Sequence, residues 1–278
     1  MTAEENRKTR GKRSTAIENN KIIKDEDITP QTFREACSMK VKKVIVKPFL
    51  AAIPLILFCV PVFSYDTVPV SRGGNIEGRV VYQGNVPIKK IIPTKNREVC
   101  GAARDEPQIQ VGPDKGVQDG VVYLKEVVKG KAWDKQDKTP VLDQEKCKFF
   151  PAVQVIRPGS IDILNSDPVL HNTHGFYGKR TAFNLALPNK GTKITRELER
   201  PGLVRVECDA HGWMLAHIYV ADSPYYSLTS KNGGFSITNI PPGNYTLVAA
   251  QHYAGDTETQ VTVKGGETVK LSIELKKK

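Results

Sequence analysis

Short runs of alternating or continuous apolar residues, separated by Gly, Pro or Asn, follow one another from residue 75 to the C-terminal end. A two-residue period places alternate side chains on opposite faces of a strand, so these runs predict strands. Residues 65–278 contain no amphipathic helical pattern of normal length. Strands this short and this closely spaced are typical of β-sandwiches, so we predict an all-β fold. The predicted strands are 75–82, 120–124, 152–156, 160–164, 203–207, 216–220, 234–238, 245–249, 259–263 and 268–273.

The N-terminal part has a different character. Residues 1–38 are polar with charges of both signs and predict a disordered extension, which a start codon mis-set upstream of Met39 would explain. A basic segment and the apolar run 48–63 then predict a signal peptide over 39–64 and export to the periplasm or another extracytoplasmic compartment. The run is short for a span of about 20 residues, so the alternative of an uncleaved membrane anchor at 48–63 is the weaker one.

Composition excludes several function classes. The net charge of +11 is dispersed, without an Arg-rich or aromatic-interleaved stripe, so nucleic-acid binding is not indicated. The sequence lacks Cys-x-x-Cys-His, GxxxxGK[ST] and GxGxxG motifs, and no recognisable nucleophile–base or paired-carboxylate motif indicates hydrolysis. We therefore expect a protein that is not an enzyme.

Three cysteines follow the predicted signal peptide, and an oxidising compartment favours pairing of two of them. Cys100 and Cys147 lie in segments with no other ligand type nearby, which predicts the disulfide Cys100–Cys147. Cys208 instead lies beside His and Met, so its sulfur is predicted to remain free for a metal.

Two segments carry the candidate metal ligands. His171 follows a predicted strand, and Cys208-x-x-His211-x-x-Met214 lies between two others. Two imidazoles, a thiolate and a weak thioether are the ligand set of electron-transfer copper sites. Zinc is the alternative, but a thioether is a poor zinc ligand.

These segments, Leu-His171-Asn172-Thr-His174 and Cys208-Asp-Ala-His211-Gly-Trp-Met214, resemble the cupredoxins, blue copper proteins of the amicyanin and plastocyanin type. The resemblance implies a Greek-key β-sandwich with one type 1 copper that exchanges single electrons with redox protein partners. The copper ligands that it implies are His171, Cys208, His211 and Met214.

Further roles follow from the same resemblance. It implies that Asn172 ties the two ligand loops together by hydrogen bonds. It also makes His211 the expected electron port and places Trp213 beside a docking patch. Because His171 already occupies the ligand position at the strand end, His174 is expected to be a surface or supporting residue. His217 is expected to be structural, although it adds an extra candidate ligand, and His252 an ordinary loop residue.

The C-terminal part, 222–278, contains Asn-Gly-Gly-Phe235 and Pro-Pro-Gly243-Asn-Tyr, and it resembles the transthyretin-like, carboxypeptidase regulatory-like β-sandwich. The usual first strand of that domain is missing after Asp222, and 75–93 would supply it. The sequence thus predicts a cupredoxin domain over 94–221, with its motifs in 145–221, inserted into a second, smaller sandwich.

Two other functions stay open. One is a periplasmic copper carrier or sensor, which would exchange its metal rapidly. The other is a structural envelope protein whose metal site is vestigial. Intact residues at all four ligand positions weigh against the second of these. Reversible redox cycling separates an electron carrier from both.

Overall fold

The structure, a computed structural model, describes residues 65–277; the predicted extension 1–38 and signal peptide 39–64 lie outside the described residues. Within 65–277, no helix has the length and apolar character needed to cross a membrane. In chain order the elements are β1 (Asp66–Thr67), β2 (Gly74–Tyr82), β3 (Ile88–Ile91), α1 (Arg97–Cys100), β4 (Arg104–Pro107), β5 (Val121–Leu124), β6 (Lys129–Gly130), β7 (Val141–Glu145), β8 (Lys148–Phe150), β9 (Val153–Ile156), β10 (Gly159–Asn165), β11 (His171–Tyr177), β12 (Arg180–Leu187), β13 (Lys193–Leu198), β14 (Gly202–Glu207), β15 (Leu215–Val220), β16 (Tyr226–Leu228), β17 (Gly234–Ile240), β18 (Gly243–Gln251), β19 (Gly255–Val263) and β20 (Thr268–Leu275).

Strands β7 to β15 form what we call the central sandwich. One sheet has the order β13-β10-β7-β8 and the other has the order β12-β11-β14-β15-β9. Alternate residues of β10 and β14 are buried between the two sheets, as the two-residue period predicts. The core between them contains mainly branched aliphatic and aromatic side chains: Leu142, Phe149, Ile156, Ile161, Ile163, Phe183, Leu187, Leu198, Val204, Val206, Ile218 and Val220.

Strands β2, β5 and β16 to β20 form what we call the split sandwich. The name reflects the chain order, because two of these strands precede the central sandwich and five follow it. The sheets of the split sandwich have the orders β16-β5-β18-β19 and β17-β2-β20. Strand β2 runs parallel to β20, with Ile76 opposite Val269, and antiparallel to β17. The predicted all-β class with two sandwiches is therefore confirmed.

The domain boundary at residue 94 needs a correction. Strand β5 was assigned to the central domain 94–221, but it pairs with β16 and β18 in the split sandwich. The apolar side chains of Val122 and Leu124 complete the core of the split sandwich, which is why the chain crosses it once more before entering β7. The central sandwich begins at Val141.

A short segment, residues 88–107, covers one end of the central sandwich, and we call it the cap. It contains the hairpin of β3 and β4 and the single-turn helix α1. Residues 75–93 are predicted to supply the missing strand of the split sandwich. Only β2 does so, because β3 pairs with β4 within the cap. The cap is joined to the turn between β7 and β8 by the disulfide Cys100–Cys147.

Candidate metal centre

The candidate ligands converge at the capped end of the central sandwich. His171 is the first residue of β11, and Cys208 follows β14, which pairs antiparallel with β11. The loop from Cys208 to β15 folds back on itself, because the amide of His211 donates to the carbonyl of Cys208 and the amide of Met214 donates to that of His211. Adjacent strands thus bring residues 37 positions apart in sequence into contact.

Three donor atoms face one buried point. The Nδ1 atoms of His171 and His211 each lie 3.8 Å from the Sγ of Cys208, and they lie 3.0 Å from each other. All three side chains are at most 1% exposed. The arrangement therefore gathers two nitrogens and one sulfur in a space closed to bulk water.

These separations fit a metal ion. A metal bonded at about 2.0 Å to nitrogen and about 2.3 Å to sulfur, with an angle near 120° between them, separates the two donors by about 3.8 Å. The Cys208–His171 and Cys208–His211 distances have this value. The short contact between the two nitrogens also favours a cation between them, because two unprotonated nitrogens repel one another when their lone pairs meet.

Asp167 fixes the orientation of the first imidazole. Its Oδ2 lies 2.8 Å from Nε2 of His171, and because a carboxylate only accepts, Nε2 carries the proton and Nδ1 stays free. The amides of Lys146 and Cys147 donate to the same carboxylate at 2.7 and 2.8 Å. The chemistry of the motif alone does not indicate this role for Asp167, which stands four residues before His171.

Asn96 of the cap fixes the orientation of the second imidazole, that of His211. Its Oδ1 accepts from Nε2 of His211 at 3.0 Å, which again leaves Nδ1 free. The cap buries this ring to 1% exposure, so His211, the expected electron port, presents no exposed edge. Asn96 has a left-handed backbone with φ 49°, a conformation that Asn tolerates better than most residues. Nothing in the local sequence indicated a contact 115 residues away.

Hydrogen bonds also connect the two ligand loops beside the sulfur. The amide of Asn172 donates to Sγ of Cys208 at 3.3 Å, and its side-chain oxygen accepts from the amide of Asp209 at 3.4 Å. His174 lies outside the donor set, where its Nδ1 is 3.1 Å from the carboxylate of Asp209. Asn172 and His174 thus hold the loop that carries Cys208.

Burial sets the protonation of two of the candidate ligands. It raises the pKa of the Cys208 thiol, although backbone amides of Asn172, His211 and Ala210 that point at the sulfur oppose the shift. Burial, followed by the neighbouring His171, lowers the pKa of His211 to about 4. The imidazole is therefore neutral at pH 7, the form that binds metals.

Met214 is the fourth sequence-predicted ligand. Its side chain is 2% exposed and belongs to the same buried cluster as Cys208. Trp213 is half-buried, its ring centre is 5.1 Å from that of His211, and its Nε1 is buried without a hydrogen-bond partner. Both residues line a cavity of about 520 Å³ between the two sandwiches.

His217 and His252 meet across that cavity. Their rings stack with centres 4.4 Å apart and planes 15° apart, although they belong to different sandwiches. His217 is 5% exposed, and its burial, reinforced by His252 and Arg205, lowers its pKa from 6.5 to about 3. The structural role expected for His217 involves a contact with His252 that the sequence does not predict.

This burial predicts a loss of stability in acid. A histidine whose pKa is lowered in the fold is stabilising above its ordinary pKa, and that contribution is lost as the pH falls from about 6.5 towards 3. At pH 5 the His217 contribution amounts to a loss of about 2 kcal/mol in the free energy of unfolding. Urea unfolding of the metal-free protein between pH 7.5 and 4.5 measures it.

The matched variants isolate the effect of His217. We expect His217→Gln to remove about 2 kcal/mol of the loss at pH 5 and to leave the part that comes from His211 and His252, whose pKa values burial also lowers. His252→Gln, which keeps His217 buried, should retain most of the His217 part. An equal acid dependence in the wild type and His217→Gln would contradict the prediction.

Comparison with known proteins identifies one part of the chain. Residues 203–276 match the carboxypeptidase regulatory-like domain, so the predicted domain of this kind is confirmed there. The match begins within β14 of the central sandwich, upstream of the predicted boundary at 222, and includes all of β16 to β20. No curated protein matches the chain in sequence.

Several solved copper proteins show limited similarity over about a third of the chain. Amicyanin from Paracoccus versutus is 18% identical, with 32% of this chain and 86% of that chain covered and a TM-score of 0.28. A purple cupredoxin from Nitrosopumilus maritimus is 21% identical, with 31% and 100% covered and a TM-score of 0.27. A Cu-containing nitrite reductase from Thermus scotoductus is 18% identical, with 32% and 24% covered and a TM-score of 0.28.

Proposed function

We propose that the protein is an exported type 1 copper protein that carries single electrons between redox protein partners. The observation that carries the proposal is the convergence of the Nδ1 atoms of His171 and His211 on Sγ of Cys208 in a buried space. Thiolate and thioether sulfur suit Cu(I) and imidazole suits Cu(II), so this donor set accommodates both oxidation states. Copper bound there supplies a one-electron couple.

The chain's own residues hold the donors in place. Asp167 and Asn96 each fix one imidazole in the tautomer with a free Nδ1, and the amide of Asn172 points at the sulfur. Because these partners lie on three separate elements of the central sandwich and the cap, the donors move little when the charge at the centre changes. A rigid ligand set favours rapid electron transfer and makes an enzyme with open coordination positions the weaker interpretation.

The cellular location and the partners belong to the same proposal. The signal peptide predicted at 39–64 supports a periplasmic or other extracytoplasmic location, with membrane attachment only if the segment 48–63 stays uncleaved. Docking at the patch that the cupredoxin resemblance places beside Trp213 would bring a redox partner within one aromatic ring of His211.

The burial of His211 favours one second candidate, a copper carrier or sensor. The cap covers the imidazole edge through which an electron carrier was expected to contact its partners, and Asn96 occupies Nε2. A carrier would exchange its copper with a chelator, whereas an electron carrier would cycle between oxidation states and keep it.

The decisive experiment adds Cu(II) to the exported protein and records visible and electron paramagnetic resonance spectra. We expect an intense thiolate-to-copper band and a narrow copper hyperfine splitting, both lost completely in Cys208→Ala, and a band that a mild reductant bleaches and an oxidant restores. His252→Ala, which changes a histidine of the split sandwich outside the donor set, is the matched control and should keep the band.

Other spectra would point away from the proposal. A wide copper splitting that survives Cys208→Ala would defeat the type 1 assignment. A thiolate band that disappears because a chelator removes the copper within minutes, with no reversible cycling, would favour the carrier.

A further inference from the structure

The disulfide lies against the candidate metal centre. The sulfurs of Cys100 and Cys147 and a ring nitrogen of His211 all lie within 4.8 Å of one another, and all three side chains are buried. On the other side of the same bond, the sulfur of Cys147, a carboxylate oxygen of Asp167 and a ring nitrogen of His171 lie within the same distance. Further donor atoms therefore surround the two sulfurs.

We infer that Cys100 and Cys147, once their disulfide is reduced, form with His211 a second site for a soft metal ion such as Cu(I). The inference goes beyond electron transfer at Cys208 and does not depend on it. Two thiolates and an imidazole are soft and borderline donors, a combination that suits Cu(I) and Zn²⁺ and disfavours hard cations.

The geometry needs only a small change. Two thiolates bonded to one tetrahedral metal at about 2.3 Å lie about 3.8 Å apart, and rotation of two cysteine side chains reaches that separation without moving the backbone far. The Cα atoms of Cys100 and Cys147 are 4.9 Å apart. The carboxylate of Asp167 accepts from the amide of Cys147 and so holds the backbone of this cysteine in place.

Two steps lead from the disulfide to the metal site, reduction and metal binding. A dithiol reductant transfers two electrons and two protons to the disulfide, so that its own sulfurs form a new S–S bond and Cys100 and Cys147 become thiols. Binding of the metal then releases the two thiol protons to water. Cys147 lines the cavity of about 520 Å³, and residues 101–103, which follow Cys100, are exposed.

His211 belongs to both donor sets. A metal held by Cys100 and Cys147 therefore competes with the Cys208 donor set for His211. This gives the disulfide a role in metal handling as well as in holding the cap.

The test uses the full chain with Cys37, Cys59 and Cys208 replaced by serine, so that Cys100 and Cys147 are the remaining cysteines. The protein is reduced with a dithiol and desalted without oxygen, and Cu(I) is titrated from a coloured competing chelator. We expect one Cu(I) bound about 100-fold or more tightly in the reduced form than in the oxidised form. A further Cys100→Ser substitution should abolish the gain.

That variant is a matched control, because it also lacks the disulfide and shares any loosening of the cap. Equal Cu(I) affinity in the reduced chain and in the Cys100→Ser chain would overturn the inference. So would an unchanged affinity after the reduced chain is unfolded in urea, since the donors would then not be preorganised. Because Cys208 is absent throughout, neither outcome bears on the type 1 centre.

Discussion

Removing the disulfide by Cys100→Ser and Cys147→Ser should lower the free energy of unfolding by about 4 kcal/mol. The bond joins residues 47 positions apart, and a loop of that length restricts the unfolded chain by about this amount. The cap also depends on the bond in the folded state, because three of the four residues of β3 are exposed and contribute little apolar burial. Urea unfolding of the metal-free chain, with Cys37, Cys59 and Cys208 replaced by serine to prevent thiol exchange, measures the loss.

A change within the cap that keeps the cross-link provides the comparison. Asn96→Gly preserves the left-handed backbone and the disulfide but removes the hydrogen bond to His211, so it should cost about 1 kcal/mol. If the double serine variant lost no more than Asn96→Gly, the cap would be held by its other contacts and the entropic account of the disulfide would be wrong.

The sequence predicted several strands that bury alternate apolar residues and missed others, among them β11 and β12. Strands β2, β10 and β14 follow the alternating pattern, so their positions could be read directly. Strand β11 was missed because its inward positions are His171, Thr173 and Gly175, which carry no apolar signal. The strand that carries the candidate ligand His171 was therefore hidden by the polar residues of the candidate site.

Sheet membership was harder to predict than the strands themselves. The run 120–124 was predicted as a strand, but a continuously apolar run fits the core of either sandwich, and it was assigned to the wrong one. The pairing of β2 with β20 could be anticipated, because the C-terminal domain lacked a strand of a recognisable kind. Partner choice depends on contacts across more than 100 residues, which local patterns do not record.

The candidate metal centre also contains residues that the sequence predicted and residues that it did not. Chemistry and spacing selected His171, Cys208, His211 and Met214, and the structure places all four in one buried region. The groups that orient the imidazoles were not predicted, since Asp167 and Asn96 become relevant only when distant segments fold together. His211 is buried because the cap covers it. The disulfide Cys100–Cys147 and the left-handed backbone of Asn96 hold the cap in that place.

A large effect of a single polar substitution is expected at Asn165, which shapes the loop between β10 and His171. Its side chain is 0% exposed and makes three hydrogen bonds of 2.9 Å. Nδ2 donates to the carbonyls of Val169 and Leu187, and Oδ1 accepts from the amide of Asp167. The Asn165 side chain therefore holds the loop that positions the carboxylate behind the first imidazole.

Asn165→Ala should lower the free energy of unfolding by about 3–4 kcal/mol, because it leaves these three buried backbone groups without their side-chain partner and opens a small cavity. Urea unfolding of the metal-free protein at pH 7 measures the loss. Asn189→Ala, at an exposed position just beyond β12, is the matched control and should change stability by less than about 0.5 kcal/mol. A loss below about 1 kcal/mol for Asn165→Ala would show that water or neighbouring groups satisfy the loop, and that Asp167 holds its position without help from the end of β10.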